Sequence, residues 1–276
     1  QQLLTAGADP NVKDSNGLTP LHVALMADDH SHDPDDVEHG HQEEIALLLI
    51  KHGADVKATG KNGENALILS CMRGHTELVK TLVKKGANPN SKDSSGLSPL
   101  IAALMAPDHS HGTDEESHNH HAEITRLLIE SGADPDTKSP DGISALEIAI
   151  NLESVELVES LIEVTKDFNK LKLSAELLCL IATQGNISMA KILVRKGVSI
   201  NSVDENGQTA LHSAAKSGRA DFCKYLIQSG ANVNLKLTNG PYFGDTPLDF
   251  AYLGDNEGKR KTLETLKEAG ALSGRQ

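Results

Sequence analysis

Basic residues are in short supply in this 276-residue chain. Its 26 Lys and Arg face 39 Asp and Glu, a formal charge of −13. A surface that grips phosphates needs clustered Lys and Arg, so this balance argues against nucleic acid or an anionic membrane as the main partner. Long apolar runs are missing as well. Stretches such as Ile45 to Ile50 fall far short of the roughly 20 residues that span a bilayer, and no signal-peptide pattern is visible. Trp is absent, and the three cysteines, Cys71, Cys179 and Cys223, have no framework spacing. That excludes a disulfide scaffold and points to small buried residues in a reducing compartment, cytoplasmic or nuclear. Catalytic signatures are lacking too. No G-x-S-x-G, H-E-x-x-H, P-loop or dinucleotide fingerprint occurs, so the reading is of a protein that is not an enzyme.

What the chain does have is a period. The register G-A-D/N-x-N returns at Gly7, Gly53, Gly86, Gly132, Gly197 and Gly230, in steps of 46, 33, 46, 65 and 33 residues. These steps read as 33, with 13 residues added twice, and one near-double step. A fixed period of this length means stacked supersecondary units, none able to bury its apolar face alone. Residues 198–230 give the clearest unit. Asn201 to Gly207 is turn chemistry, Thr209 caps a first helix through Leu211, Ala214 and Ala215, and Gly218 ends it. A second helix from about Ala220 to Ser229 carries Phe222, Leu226 and Ile227 on one face and stops at Gly230.

With T-A-L-H at 209–212, T-P-L-H at 19–22 and the G-A-D/N-x-N hairpins, the whole chain resembles the ankyrin-repeat family. The resemblance implies an all-α solenoid of about seven helix-turn-helix repeats with β-hairpin loops, forming one domain over 1–276. The repeats fall at approximately 8–53, 54–86, 87–132, 133–165, 166–197, 198–230 and 231–270. Gln1 to Gly7 reads as the end of a helix of an earlier repeat, which would place the natural N-terminus upstream. The second-helix sets Ile45/Leu49/Ile50, Leu78/Leu82/Val83, Ile124/Leu128/Ile129, Leu157/Leu161/Ile162 and Met189/Leu193/Val194 are expected in the core. Repeat 166–197 keeps Lys166–Asn169 in hairpin register but lacks the D-x-x-G turn, so its hairpin is expected to be truncated. Repeat 231–270 has about seven extra residues (237–243), and its Tyr242 and Phe243 are either packed down or displayed as contact anchors.

The 13-residue expansions lie between the helices of the first and third repeats, at 27–44 and 106–123. Aligned, they match H-x-H pairs: His30/His32 with His109/His111, and His39/His41 with His118/His120, with His121 extra. On an extended segment, residues i and i+2 face the same way, so each pair can present two imidazoles to one ion. Two pairs per loop would suit Zn²⁺, with Cu²⁺ or Ni²⁺ as alternatives. The competing readings are a solvated acidic loop and a pH sensor in which clustered histidines titrate near neutrality. His22 and His212, at the T-P-L-H position, and His75, in an interhelix turn, read as structural, while His52 lies near a helix C-terminus.

The family resemblance also implies where a partner docks: beside the hairpin glycine and at the end of the first helix. The position seven residues after the helix cap is Met26, Met72 and Met105 in three successive repeats. With Leu18, Leu97, Ile143 and Leu152 these form an expected apolar stripe along repeats 1–4, bordered by Glu64 and Arg73. Methionine suits a surface that adapts to an apolar ligand. The alternative is that the expansions fold back over Met26 and Met105. The resulting expectation is a monomeric, non-catalytic scaffold for another protein or peptide, without nucleic acid, membrane insertion or a required cofactor. A metal- or pH-responsive regulatory module is the alternative. Asn234, in a GANVN hairpin, resembles the asparagines that are hydroxylated in this family.

Overall fold

In this computed structural model, residues 2–27, 41–106, 119–164, 174–254 and 256–275 are described. They form two compact units, Gln1–Ile148 and Ala149–Gln276. The first begins with a single helical turn, α1 (Gln2–Thr5). Helix pairs follow: α2 (Pro20–Met26) with α3 (His41–Lys51), α4 (Ala66–Met72) with α5 (Thr76–Lys84), and α6 (Pro99–Met105) with α7 (Asn119–Glu130). Helix α8 (Ala145–Asn151) runs across the boundary. The second unit holds α9 (Val155–Val164), α10 (Ser174–Gln184) with α11 (Ile187–Arg195), α12 (Ala210–Lys216) with α13 (Ala220–Gln228), and α14 (Pro247–Ala251) with α15 (Glu257–Glu268). The hairpins are turns rather than sheet: among the described residues only single bridges form, Thr59 with Asn65 and Lys138 with Ser144. The truncated hairpin expected at Lys166–Asn169 lies outside the described residues.

In four of the described first helices the residue three positions after the cap bonds back to it. Thr19 N–H donates to His22 Nδ1 at 3.1 Å, and Thr209 N–H to His212 Nδ1 at 3.2 Å. Glu147 does the same for Ser144 and Asp249 for Thr246, at 2.8 and 2.9 Å. These are capping boxes, with His or Asp standing in for the usual Glu or Gln. Asn65 and Ser98 instead accept from Ile68 N–H and Ile101 N–H. Because Nδ1 accepts, His22 and His212 are neutral. Both are fully buried, and burial pulls the His212 pKa down to about 4 and that of His22 in the same direction.

The fingers of repeats one, three and six are each closed by one carboxylate, and that of repeat four by the Ser139 hydroxyl, which accepts from Ile143 N–H at 3.1 Å. Asp14 Oδ1 accepts from Asn16 N–H and Leu18 N–H at 2.8 Å, and Asp93 and Asp204 bond their own turns in the same way. In the second repeat Gly60 occupies that position and has no carboxylate. Glu64, on the far side of the turn, supplies it: Oε2 accepts from Asn62 N–H at 3.0 Å and Oε1 from Asn62 Nδ2 at 2.9 Å. A Cβ on Gly60 would meet Glu64 Oε2 at 2.5 Å, so the Glu64 carboxylate fills the space of the missing Asp side chain.

Neighbouring fingers are held by asparagine. Asn11 Nδ2 donates to Gly53 O at 3.1 Å while its Oδ1 accepts from Asp55 N–H at 2.7 Å. Asn90 spans Gly132 and Asp134, Asn201 spans Gly230 and Asn232, and Asn234 spans Gly270 and Leu272. The carbonyl that each receives belongs to a helix-stopping glycine whose φ is positive, +93° at Gly53 and +92° at Gly230, where a side chain would be strained. Lys57 and Asp136 hold the equivalent positions in repeats two and four.

Most of the expected core is confirmed. Leu49, Ile50, Leu78, Leu82, Ile124, Leu128, Leu157, Leu161, Ile162, Met189 and Leu193 are buried. Val83, Ile129 and Val194 are only half-buried. Ile45 is a correction: it shares the register of Leu78 and Ile124, which are fully buried, yet is 49% exposed. Helix α3 packs on α2 and α5, and only the single turn of α1 precedes that pair. The cysteines are free and buried, and burial raises the thiols of Cys179 and Cys223 to about 12.

At its C-terminal end the second unit is clasped by its own chain. Arg275 forms a two-pronged bond to Asp245, Nε to Oδ1 at 2.8 Å and Nη2 to Oδ2 at 2.6 Å. Ser273 Oγ donates to Asp249 Oδ1 and Gly274 N–H to Asp249 Oδ2, at 2.6 and 2.7 Å. Burial alone would raise the Asp249 pKa, but the bonds from Ser273, Thr246 and Gly274 outweigh it and hold it below the usual value.

Two measurements check these contacts. Glu64→Ala should lower stability by about 1 kcal/mol in urea unfolding, and adding Gly60→Asp should restore it, because the new carboxylate takes the vacated space. For His212 the depressed pKa means the unfolded chain binds the extra proton. Stability is therefore full above pH ~6.5 and falls by up to about 3 kcal/mol as pH drops to 4. His212→Gln keeps an acceptor for Thr209 N–H, and its urea midpoint should fall less steeply over that window than that of the parent chain.

Candidate interaction surface

Met26, Met72 and Met105 are the last residues of α2, α4 and α6. Helix α2 packs on α4 and α4 on α6, so the three side chains stand in a row at matching positions. They are 42, 42 and 54% exposed, whereas Met189, the fourth methionine, is fully buried. An exposed Met in a repeat without an expansion, Met72, shows that exposure is a property of the register. Position is fixed from behind. Gln42 Nε2 and Arg73 Nη2 both donate to Ala27 O, at 2.6 and 3.4 Å, pinning the chain just beyond Met26. Those donors meet the helix end where carbonyls lack intrahelical partners.

The finger members of the stripe are set by the necks of their turns. Leu18, Leu97 and Ile143 each pair across the neck through the main chain, with Asp14, Asp93 and Ser139, at 2.8–3.1 Å. Leu18 and Leu97 are half-buried and Ile143 is exposed. Leu18 leans on the next finger, its Cδ2 2.7 Å from where a Gly60 Cβ would stand. Leu152 is exposed but lies in the second unit, so the row described here consists of Leu18, Met26, Met72, Leu97, Met105 and Ile143. Glu64 and Arg73 border it, each already bonded within the fold: Glu64 closes its own finger, which lowers its pKa through the Asn62 bond, and Arg73 holds Ala27.

Of the histidines singled out as metal ligands, His30, His32, His39, His109, His111 and His118 lie outside the described residues. His41 opens α3 and His120 sits in the first turn of α7. Among the described residues no group of three or more His, Cys, Asp or Glu could hold a metal. His121 has a structural place that sequence reasoning missed. Its Nδ1 bonds Ala103 O at 2.8 Å, tying the returning helix to the first helix much as Gln42 does; both residues stand eleven before their stop glycine, Gly132 and Gly53.

In the long finger of the last repeat the two aromatics part company. Tyr242 packs on the buried Phe250, ring centroids 5.2 Å apart, while Phe243 is 75% exposed. Asn234 has both ends of its amide bonded, to Gly270 O and Leu272 N–H. No helix among the described residues is long and apolar enough to cross a membrane.

The family model described as ankyrin repeats, three copies, matches residues 36–111 and 178–271, more than half of the chain. A segment of 105 residues, 38% of the chain, is 31% identical to the human transient receptor potential cation channel subfamily A member 1, and covers 8% of that protein. Over 98 residues, 35% of the chain, it is 39% identical to an L-asparaginase of Dirofilaria immitis, covering 15% of that protein. The chain thus spans a small part of the curated relatives it matches. In fold it is similar to the crystal structure of the human ASB11 ankyrin repeat domain, with a TM-score of 0.63, 21% identity, and coverage of 91% of this chain and 98% of that one.

If the methionine row is open to solvent, mild peroxide should oxidise Met26, Met72 and Met105 together and leave Met189 intact until the protein unfolds. Peptide mass mapping reads this directly. Protection of Met26 and Met105 with Met72 reactive would mean that the expansions cover the row.

Proposed function

The chain belongs to the ankyrin-repeat family, and on that premise we propose that its first unit holds an apolar segment of another protein or peptide along Leu18, Met26, Met72, Leu97, Met105 and Ile143. Ankyrin repeats are interaction modules, typically without catalysis. The observation that carries the finer reading is the register: three adjacent first helices end in the same exposed, polarizable side chain. Scattered exposed apolar residues need no explanation, but a contiguous row does. Unbranched Met can adapt its shape to a ligand at little cost.

The proposed module is a monomer that needs no cofactor and performs no chemistry. Its charge of −13 supports a ligand that is neither nucleic acid nor a bilayer. Three buried free thiols suit a reducing compartment, cytosolic or nuclear.

Replacing methionine by a photoreactive analogue and irradiating the protein in cells should cross-link a partner through Met26, Met72 or Met105 and not through Met189. Changing those three residues to Ser should abolish the cross-linked complex with helicity and thermal midpoint nearly unchanged. Persistence of the complex in the triple variant would place the partner elsewhere.

A further inference from the structure

Positions that are core in the other repeats lie open at the N-terminal end of the first unit. Four residues before a stop glycine stand Leu49, Leu82, Leu128, Leu193 and Leu226, each at most 7% exposed; Leu3, in the same register before Gly7, is 77% exposed. Ala8 is exposed, whereas Ala54, Ala87 and Ala133 are buried. Val23 is 52% exposed, although its counterparts Ala102, Ser213 and Phe250 are buried. Ile45 completes the set. Its counterpart in the last repeat is Thr262, and both Thr262 and Phe250 are fully buried there, where α14 packs on α12 and α15 on α13. These two positions are therefore covered by the repeat ahead. Helix α15 shows no such open face: its exposed residues, Glu257, Arg260, Lys261, Glu264, Lys267 and Glu268, are all charged.

The main chain at the same end carries half of a joint. Asn11 joins the first two fingers by donating to Gly53 O and accepting from Asp55 N–H. The corresponding groups one step earlier are Gly7 O and Asp9 N–H, and neither has a partner among the described residues. Helix α1 also ends as the second helices do. Gly7 N–H bonds Leu4 O and Ala8 N–H bonds Leu3 O, at 3.1 and 3.0 Å, as Gly53 bonds Ile50 and Ala54 bonds Leu49 at 3.2 and 3.0 Å. Gly7 φ is +90°. Helices α3, α5, α7, α11, α13 and α15, closed by this stop, have 9 to 12 residues, but α1 has four. A single turn has too few hydrogen bonds to offset its own nucleation.

From the open face and the unfilled half-joint together we infer that this end is an interface, occupied by one more helix pair and finger that run into α1 from the same polypeptide. A second copy or a separate protein can cover Val23 and Ile45, but only a segment continuous with Gln2 can have α1 as its last turn. The occupant completes the helix to which Leu3 belongs, lays an apolar side on Val23 and Ile45, and brings an asparagine to Gly7 O and Asp9 N–H. The existing clasps set where that asparagine stands. It precedes its stop glycine by 29, 36 or 42 residues in the fingers that have one.

The test starts with the natural messenger RNA, sequenced upstream of the codon for Gln1. It should encode, in frame, a cap, a first helix, a turn and an apolar second helix, with the asparagine 29 to 42 residues before Gly7. A start codon within that span, or a span without helical apolar period, would overturn the inference. The natural chain and residues 1–276 are then compared, each with and without Val23→Asp/Ile45→Asp. By NMR, the Asp9 amide should exchange as slowly as that of Asp55 in the natural chain and at least about tenfold faster in residues 1–276. The double substitution should lower the thermal midpoint of the natural chain by about 5 °C or more, because it buries two unpaired carboxylates. It should leave residues 1–276 nearly unchanged, since both side chains are exposed there. Equal shifts in the two chains, or an Asp9 amide that is fast in both, would overturn the interface. Self-association of residues 1–276 that persists in the natural chain and is lost on double substitution would make a second copy the occupant and overturn it too.

Discussion

An asparagine amide that reaches from one finger to the next sets the spacing on which the rest of this protein depends. Each of Asn11, Asn90, Asn201 and Asn234 gives its N–H to the carbonyl of a stop glycine and takes an N–H two residues beyond it. Donor and acceptor are both satisfied, so a finger can sit at only one offset from its neighbour. The helices above inherit that offset. The clasp joins the finger of repeat one to that of two, three to four, and six to seven, whereas Lys57 and Asp136 stand at its position in repeats two and four.

Much of this was legible in the sequence because it is local. A cap, a T-P-L-H box and a stop glycine act within four residues of themselves, and the helices they bound lie where the pattern places them. Legibility failed where a residue's fate depends on what lies beside it. Ile45 and Leu78 are indistinguishable in register, but only Leu78 has full helices on both sides. Glu64 looked like a free charge at the rim; its role follows from a glycine four residues earlier that has no side chain to do the work. Tyr242 and Phe243 are adjacent and chemically alike, yet Phe250 can receive only one of them.

The histidine-rich expansions illustrate the same limit from the other side. Of the H-x-H members only His41 and His120 are among the described residues, each at the start of a second helix. His121, the unmatched histidine, turns out to have the clearest structural role, because it faces a carbonyl and not another imidazole.

The clasp at residues 273–275 has a mechanical meaning. A force applied to the chain at Arg275 does not arrive first at α15. It passes through the guanidinium to Asp245 and through Ser273 and Gly274 to Asp249, and so enters the finger and first helix of the last repeat. The parallel bonds of a carboxylate–guanidinium fork share a load and must break together. Tension at this point therefore shears the terminal repeat as a block instead of peeling its outer helix away turn by turn.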